Sequence, residues 1–125
     1  SSVATLHAAM IAEVEAASAG EQLALLRAHP DLGARARLSD ASAGEQAGAG
    51  LDRLTPAELT RLRSLNAAYR QKFGFPFLYA VRGATKYDIL QAIETRLAES
   101  PGREFLEALR QVYRIAGFRL QDTVS

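Results

Sequence analysis

Apolar residues recur at helical spacing along most of the chain. Near the N-terminus, Leu6, Met10 and Val14 follow one another at four-residue intervals, which predicts a helix over residues 5–17 with one apolar stripe. Four later stretches also carry apolar residues at positions compatible with helices: Leu23, Leu25 and Leu26; Leu59, Leu62, Leu65 and Tyr69; Ile89, Leu90, Ile93 and Leu97; Phe105, Leu109, Val112 and Ile115. The pattern predicts an all-α fold.

Helix-start signals divide these stretches. A Ser or Thr followed three residues later by an acidic residue is typical of a capping box, in which the two residues satisfy each other's free backbone N–H groups. Such pairs begin at Ser18, Thr55 and Thr85, and Ser100-Pro101 predicts the start of the last helix. The sequence therefore predicts a single domain over residues 1–125, built as a bundle of five to seven helices.

Helix-end signals are equally local. Pro30 disfavours helical geometry at His29, and Gly74 is suited to end the helix that begins after Thr55. Gly117 is expected to loosen or end the last helix. Residues 31–38 are compatible with a short helix, and residues 39–50, rich in Ser, Gly and Ala, form the loosest part of the chain.

The amino-acid composition excludes several kinds of catalytic and binding site. The 125 residues include 24 alanines and 17 leucines, carry a net charge of +1 and contain no cysteine. Disulfides, thiolate metal sites and cysteine nucleophiles are therefore excluded. No phosphate-binding loop, dinucleotide fingerprint or HExxH motif occurs, so neither a metal nor an organic cofactor is expected. Low net charge and short apolar runs predict no nucleic-acid or membrane partner, and no targeting signal is evident, so a cytoplasmic protein is expected.

His29 is the first candidate for chemistry. Histidine side chains titrate near neutral pH, and the partial negative charge at a helix C-terminus favours the protonated ring by about 0.3–1 kcal/mol. The alternative is that His29 simply caps the helix. The other histidine, His7, is expected to be a solvated residue on the exposed side of the first helix.

Two further stretches have both a structural and a functional interpretation. The stretch 42–46 could cap a helix, or could form a polar cradle whose carboxylate, amide and free N–H groups bind a ligand. Residues 73–79 hold four aromatic residues around Gly74 and Pro76. They could pack in the core or wall a binding site for a flat, polar ring. Arg119 is one of thirteen arginines and is expected by default to be a solvated surface residue.

Taken in order, these motifs resemble one family. The matching stretches include Ala28–Gly33, Ser42–Gln46, Lys72–Phe77, Ala80–Gly83 and Arg119–Leu120. They are similar to the 2-oxo-4-hydroxy-4-carboxy-5-ureidoimidazoline (OHCU) decarboxylases of urate catabolism. The resemblance implies an all-α homodimer that converts this small ureidoimidazoline to S-allantoin and CO2 without a cofactor. The family's N-terminal segment with Ser-Pro-Trp is expected to be absent, because the chain contains no Trp.

The resemblance also implies roles for individual residues. His29 matches the catalytic proton donor, and Glu45 is expected to orient the substrate and to pair with His29. The expected substrate-binding residues are Pro30, Ser42, Ala43, Gly44, Gln46, Phe75, Pro76, Phe77, Leu78, Tyr79 and Arg119. The alternatives are a non-catalytic helical interaction module, which includes a degenerate family member, and an arginine-rich DNA-binding domain. Interleaved acidic residues on the last helix argue against the DNA-binding domain.

Overall fold

The computed structural model describes residues 2–32, 51 and 53–124. Within these ranges the regular elements are five helices: α1 (Ser2–Ala16), α2 (Ala19–Arg27), α3 (Pro56–Phe73), α4 (Lys86–Leu97) and α5 (Pro101–Val124). The all-α prediction is confirmed. The expected short helix over residues 31–38 and the stretch 42–46 lie outside the described residues, apart from positions 31 and 32.

The predicted helix starts are confirmed in atomic detail. At Ser18, Thr55 and Thr85 the hydroxyl accepts from the backbone N–H three residues on, and the acidic side chain there accepts from the cap's own N–H. Gly74 ends α3 in the left-handed conformation with φ 80°, and its N–H donates to the Arg70 carbonyl at 2.8 Å. A side chain at this position would be strained, which explains the glycine.

The last helix corrects two sequence expectations. It continues without a break through Gly117 to Val124. A Cβ added at Gly117 would lie 3.1 Å from two ring atoms of His7, so this glycine allows α1 to approach α5 closely. His7 is accordingly half-buried rather than solvated, and its Nε2 donates to the Tyr113 carbonyl at 2.6 Å. Gly117 therefore serves helix packing and does not end the helix.

The core lies where α3, α4 and α5 meet, and the non-helical residues 74–85 cross it. Tyr69 sits at its centre, with ring centroids 4.6 Å from Phe73, 5.9 Å from Phe75 and 5.3 Å from Phe77. Edge-on and tilted arrangements of this kind are favourable for aromatic rings. In contrast, α1 has no fully buried residue and packs along α5. None of the five described helices combines the length and the apolarity that membrane crossing requires.

Candidate active site

A groove between α1, α2 and α5 contains two of the predicted site residues. It has a volume of about 480 Å³ and is lined by His29 and Arg119. The remaining lining residues are apolar: Leu6, Met10, Val14, Leu25, Val112, Ile115, Ala116 and Leu120. A concave, mostly apolar surface with few converging polar groups is the usual form of a small-molecule site.

His29 lies just after the end of α2, as its sequence context predicts. Its Nδ1 is 2.8 Å from the carbonyl oxygen of Leu25, and a carbonyl can only accept, so Nδ1 must carry hydrogen. The half-buried ring therefore caps α2 through Nδ1 and keeps Nε2 for other partners. The capping interpretation is thus correct, and it is compatible with a chemical role, because one ring nitrogen is not used by the cap.

Arg119 lies on α5 and lines the groove. Within the described parts of the chain its guanidinium forms no hydrogen bond or ion pair, although its carbonyl accepts from the Thr123 hydroxyl at 2.9 Å. A guanidinium with free donors can bind a carboxylate through two parallel hydrogen bonds. The groove therefore places a histidine and an arginine with available donors on one surface.

Two contacts hold the turn around His29 against the rest of the molecule. On one side Arg27 Nε donates to the Gly74 carbonyl at 2.9 Å. On the other, Arg70 Nη1 lies 3.2 Å from Asp31 Oδ1. These contacts place the turn beside the end of α3, where the non-helical residues 74–85 begin. Two stretches that the sequence singled out separately are therefore neighbours in space.

The side chains of residues 75–78 are packed inside the protein. Phe75 and Leu78 are each 3 % exposed, Phe77 is 0 % exposed, and Pro76 is also fully buried. Tyr79 is half-buried, and its ring stacks on Phe77 with centroids 6.0 Å apart. The structure thus differs from the expectation that the rings of Phe75 and Phe77 wall a ligand, because the core uses both. What this segment can offer a ligand is its backbone.

A buried polar cluster holds the segment from behind. Arg96 Nη1 donates to the Leu78 carbonyl at 2.6 Å, and its Nε is paired with Glu104, which is 1 % exposed. The Tyr69 hydroxyl donates to the same Glu104 oxygen at 2.6 Å. Burial is the main cause that raises the pKa of Tyr69 well above its usual range, and the hydrogen bond to Glu104 is the second cause. The Arg96 guanidinium also lies over the Phe77 ring, 4.5 Å from its centroid.

A second polar side chain holds the next peptide. The backbone N–H of Ala80 donates to Gln111 Oε1 at 2.9 Å, and both residues are buried. Gln111 is in turn oriented by its own Nε2, which donates to Glu107 at 2.6 Å. Sequence reasoning missed Arg96, Glu104 and Gln111 as functional candidates. The signal that could have found Glu104 and Gln111 is their position on the apolar side of α5, beside Ala108 and Leu109.

Comparison with known proteins gives this arrangement a family. The family model described as OHCU decarboxylase matches residues 1–121. The chain belongs to the OHCU decarboxylase family. It is 49 % identical to the 2-oxo-4-hydroxy-4-carboxy-5-ureidoimidazoline decarboxylase of Halalkalicoccus jeotgali, over 98 % of this chain and 69 % of that protein.

Longer relatives contain a similar region. The Bacillus subtilis uric acid degradation bifunctional protein PucL is 45 % identical over 100 % of this chain, which spans 25 % of PucL. A crystal structure of (S)-allantoin synthase superimposes with a TM-score of 0.77 at 42 % identity, covering 96 % of this chain and 37 % of that one. The identification therefore concerns both the sequence and the fold.

In this family member, the described structure brings together some of the predicted site residues. His29 and Arg119 line one groove, Pro30 is exposed on the adjoining turn, and residues 75–79 begin next to that turn. Glu45, Ser42, Ala43, Gly44 and Gln46 lie outside the described residues, so their predicted roles stay predictions. Among the described residues, no three His, Asp or Glu side chains are grouped as a metal site would require.

Proposed function

We propose that this chain catalyses decarboxylation of OHCU to S-allantoin and CO2, with the groove lined by His29 and Arg119 as the active site. One observation carries the assignment of the site. The two residues are 90 positions apart, belong to different helical regions and still meet in one groove with groups free for a ligand. The names of the relatives support the reaction, because several are called OHCU decarboxylase.

The substrate chemistry explains why so few groups would suffice. The bond between the ring carbon and its carboxylate breaks, CO2 leaves, and the electron pair delocalises into the adjacent imine and carbonyl system. A proton then adds to the adjacent ring carbon, which carries the ureido group, and the hydroxyl on the carbon that lost CO2 gives up its proton to become a ring carbonyl. Since the substrate is its own electron sink, the protein needs only to hold it, stabilise the delocalised charge and supply the proton to one face.

His29 would supply that proton from Nε2. As an imidazolium, it would keep Nδ1–H on the Leu25 carbonyl and transfer the Nε2 proton, which leaves a neutral ring in the tautomer that the helix end already selects. Because the ring is anchored on α2, the proton would arrive from one side, which accounts for a single enantiomer of allantoin.

The remaining roles are assigned to Arg119, to the backbone of Tyr79 and, from the family resemblance, to Pro30 and the stretch 42–46. Arg119 would bind an anionic oxygen of the substrate, and the backbone of Tyr79 would bond polar atoms of the flat ring. Glu45 would orient the substrate and contact His29 at Nε2, while Ser42 and Gln46 would bind ureido atoms. Ala43, Gly44 and Pro30 would allow close approach. We also propose that the protein is a cytoplasmic homodimer. Light scattering at several concentrations would test whether it is a dimer.

Turnover by the purified 125-residue chain tests the reaction. OHCU is generated in situ from urate with urate oxidase and hydroxyisourate hydrolase, and circular dichroism then follows the formation of allantoin. We expect rapid formation of one enantiomer. Slow racemic decay at the rate of the enzyme-free control would contradict the proposed function and would favour a non-catalytic module.

A histidine substitution tests the site. In His29→Asn the amide nitrogen can still donate to the Leu25 carbonyl, but the proton at Nε2 is lost. We expect kcat to fall by about 10²–10⁴-fold, the usual contribution of a positioned proton donor. His7→Asn is the matched control because that ring lies outside the groove, and its activity should stay close to wild type. Undiminished activity and enantioselectivity in His29→Asn would exclude the proton-donor role.

A further inference from the structure

The two hydrogen bonds behind residues 78–80 control two successive peptide planes. No cis peptide bond occurs among the described residues, and in a planar trans peptide the C=O and N–H groups point in opposite directions. The Leu78 carbonyl points to Arg96, so the N–H of Tyr79 in the same plane points away from Arg96. The Ala80 N–H points to Gln111, so the Tyr79 carbonyl points away from Gln111.

Tyr79 therefore turns both of its backbone polar groups away from the buried side chains. No hydrogen bond within the described residues uses its N–H or its C=O, although polar backbone groups in folded proteins are nearly always paired. A neighbouring donor and acceptor on one residue match a ligand that carries an N–H next to a carbonyl. Cyclic ureas, amides and ureido groups have this arrangement.

The buried cluster is costly to maintain. Glu104 is paired through Oε1, whereas its Oε2 is buried without a partner in the described structure. Buried ion pairs often stabilise a protein no better than apolar side chains of similar size, since removing both charges from water costs so much. The structural effect of this cluster is to hold the backbone of residues 78–80 in one orientation.

We propose that Arg96 and Gln111 are positioning residues, which hold the peptides on either side of Tyr79 so that its N–H and C=O face the substrate. The proposal rests on the proposed function and adds two residues that do not touch the substrate. Arg96 acts from α4 and Gln111 from α5, and Glu104 with Tyr69 keeps Arg96 in place. Substrate binding at Tyr79 thus depends on side chains behind the main chain.

Gln111 offers the cleaner test because its substitution leaves no buried charge. Gln111→Met preserves the length of the side chain but removes the acceptor for the Ala80 N–H. We expect KM for OHCU to rise about tenfold, as the loss of one buried hydrogen bond allows, with kcat changed much less. The exchange Glu107→Gln with Gln111→Glu keeps an oxygen facing Ala80 and an amide beside it, and should restore KM.

Lys86→Met is the matched control for stability. Lys86 bridges Glu58 at 2.7 Å and so joins the capped start of α3 to α4, at the opposite end of α4 from Arg96. The Lys86→Met variant should have a lower unfolding midpoint than wild type and an unchanged KM. If Gln111→Met lowers the midpoint and the active fraction but leaves KM unchanged, the residue is merely structural and the proposal is overturned. Failure of the exchange variant to restore KM in a folded protein would also count against it.

A binding readout separates this proposal from the proposed function. In ¹⁵N-labelled protein, titration with (S)-allantoin should shift the amide resonance of Tyr79 in wild type, and more weakly in Gln111→Met. If wild type shows no turnover but the Tyr79 shift occurs and weakens in the variant, the decarboxylase assignment fails and the positioning role stands. If turnover occurs and the Tyr79 amide is insensitive to the ligand, the positioning role fails alone.

Discussion

The buried cluster behind residues 75–80 and the groove between α1, α2 and α5 use polar groups in opposite ways. In the cluster, Arg96 is satisfied by a carboxylate, a hydroxyl and a carbonyl, all contributed by the protein. In the groove, the described residues leave Nε2 of His29 and the guanidinium of Arg119 without protein partners. The polar groups of the cluster bind one another and fix its geometry, whereas those of the groove remain available to a ligand.

This contrast separates the expected effects of mutation. Substitutions in the cluster should act first on stability, because they leave buried charges or donors unpaired. Substitutions in the groove should act on activity, because the groups they remove have little to do in the free protein. The following experiments test that division, beginning with the largest expected effect.

Arg96→Met should break the buried cluster. It leaves the Glu104 carboxylate buried without its cation, and loss of one partner of such a pair costs about 3–5 kcal/mol. Urea unfolding followed by circular dichroism measures the change. Adding Glu104→Gln removes the stranded charge but keeps an acceptor for the Tyr69 hydroxyl, so it should recover a large part of the loss. If the single variant were as stable as wild type, the cluster would not be an electrostatic unit.

Arg119→Met should give the reverse result in the groove. We expect kcat/KM to fall by about 10–100-fold, the equivalent of one lost hydrogen bond to a charged group, while stability changes by about 0.5 kcal/mol or less. Arg110→Met on the same helix is the control, since this exposed arginine lies outside the groove. Equal activity of the two variants would show that Arg119 does not bind the substrate.

Gly117→Ala should have the smallest effect and refines the comparison at the α1 side of the groove. The new methyl gains about 1 kcal/mol of helix propensity but meets the His7 ring, and overpacking costs about 1–3 kcal/mol. We expect a net loss of roughly 1 kcal/mol in thermal or urea unfolding. In a His7→Ala background the same change should become stabilising. If it is stabilising in both backgrounds, the contact between α1 and α5 is not tight.

The local parts of the fold could be read from the sequence. Capping boxes at Ser18, Thr55 and Thr85 and the terminating Gly74 involve residues within one helical turn of each other, so their pattern is visible along the chain. Gly117 misled the prediction because its reason for being glycine lies in His7, far away in sequence. A propensity rule cannot see a close approach between two helices.

The candidate site divides in the same way. His29 could be found because histidine chemistry and the helix end are both local signals, whereas Arg119 looked like a surface arginine until the family resemblance implied a role for it. Arg96 and Gln111 were not recognised, because an arginine and a glutamine on helices usually lie in solvent. Their importance depends on which backbone groups lie opposite, and that follows only from how α4 and α5 pack against residues 78–80.

The hydrogen bond between His29 Nδ1 and the Leu25 carbonyl also determines how protons can travel. A ring that exchanges protons at both nitrogens can act as a relay between two compartments. Here Nδ1 is held by the carbonyl at the end of α2, so the ring can exchange protons with the groove only through Nε2. Under the proposed mechanism, a proton that leaves through Nε2 is also replaced through Nε2, so a proton source must reach the groove between turnovers.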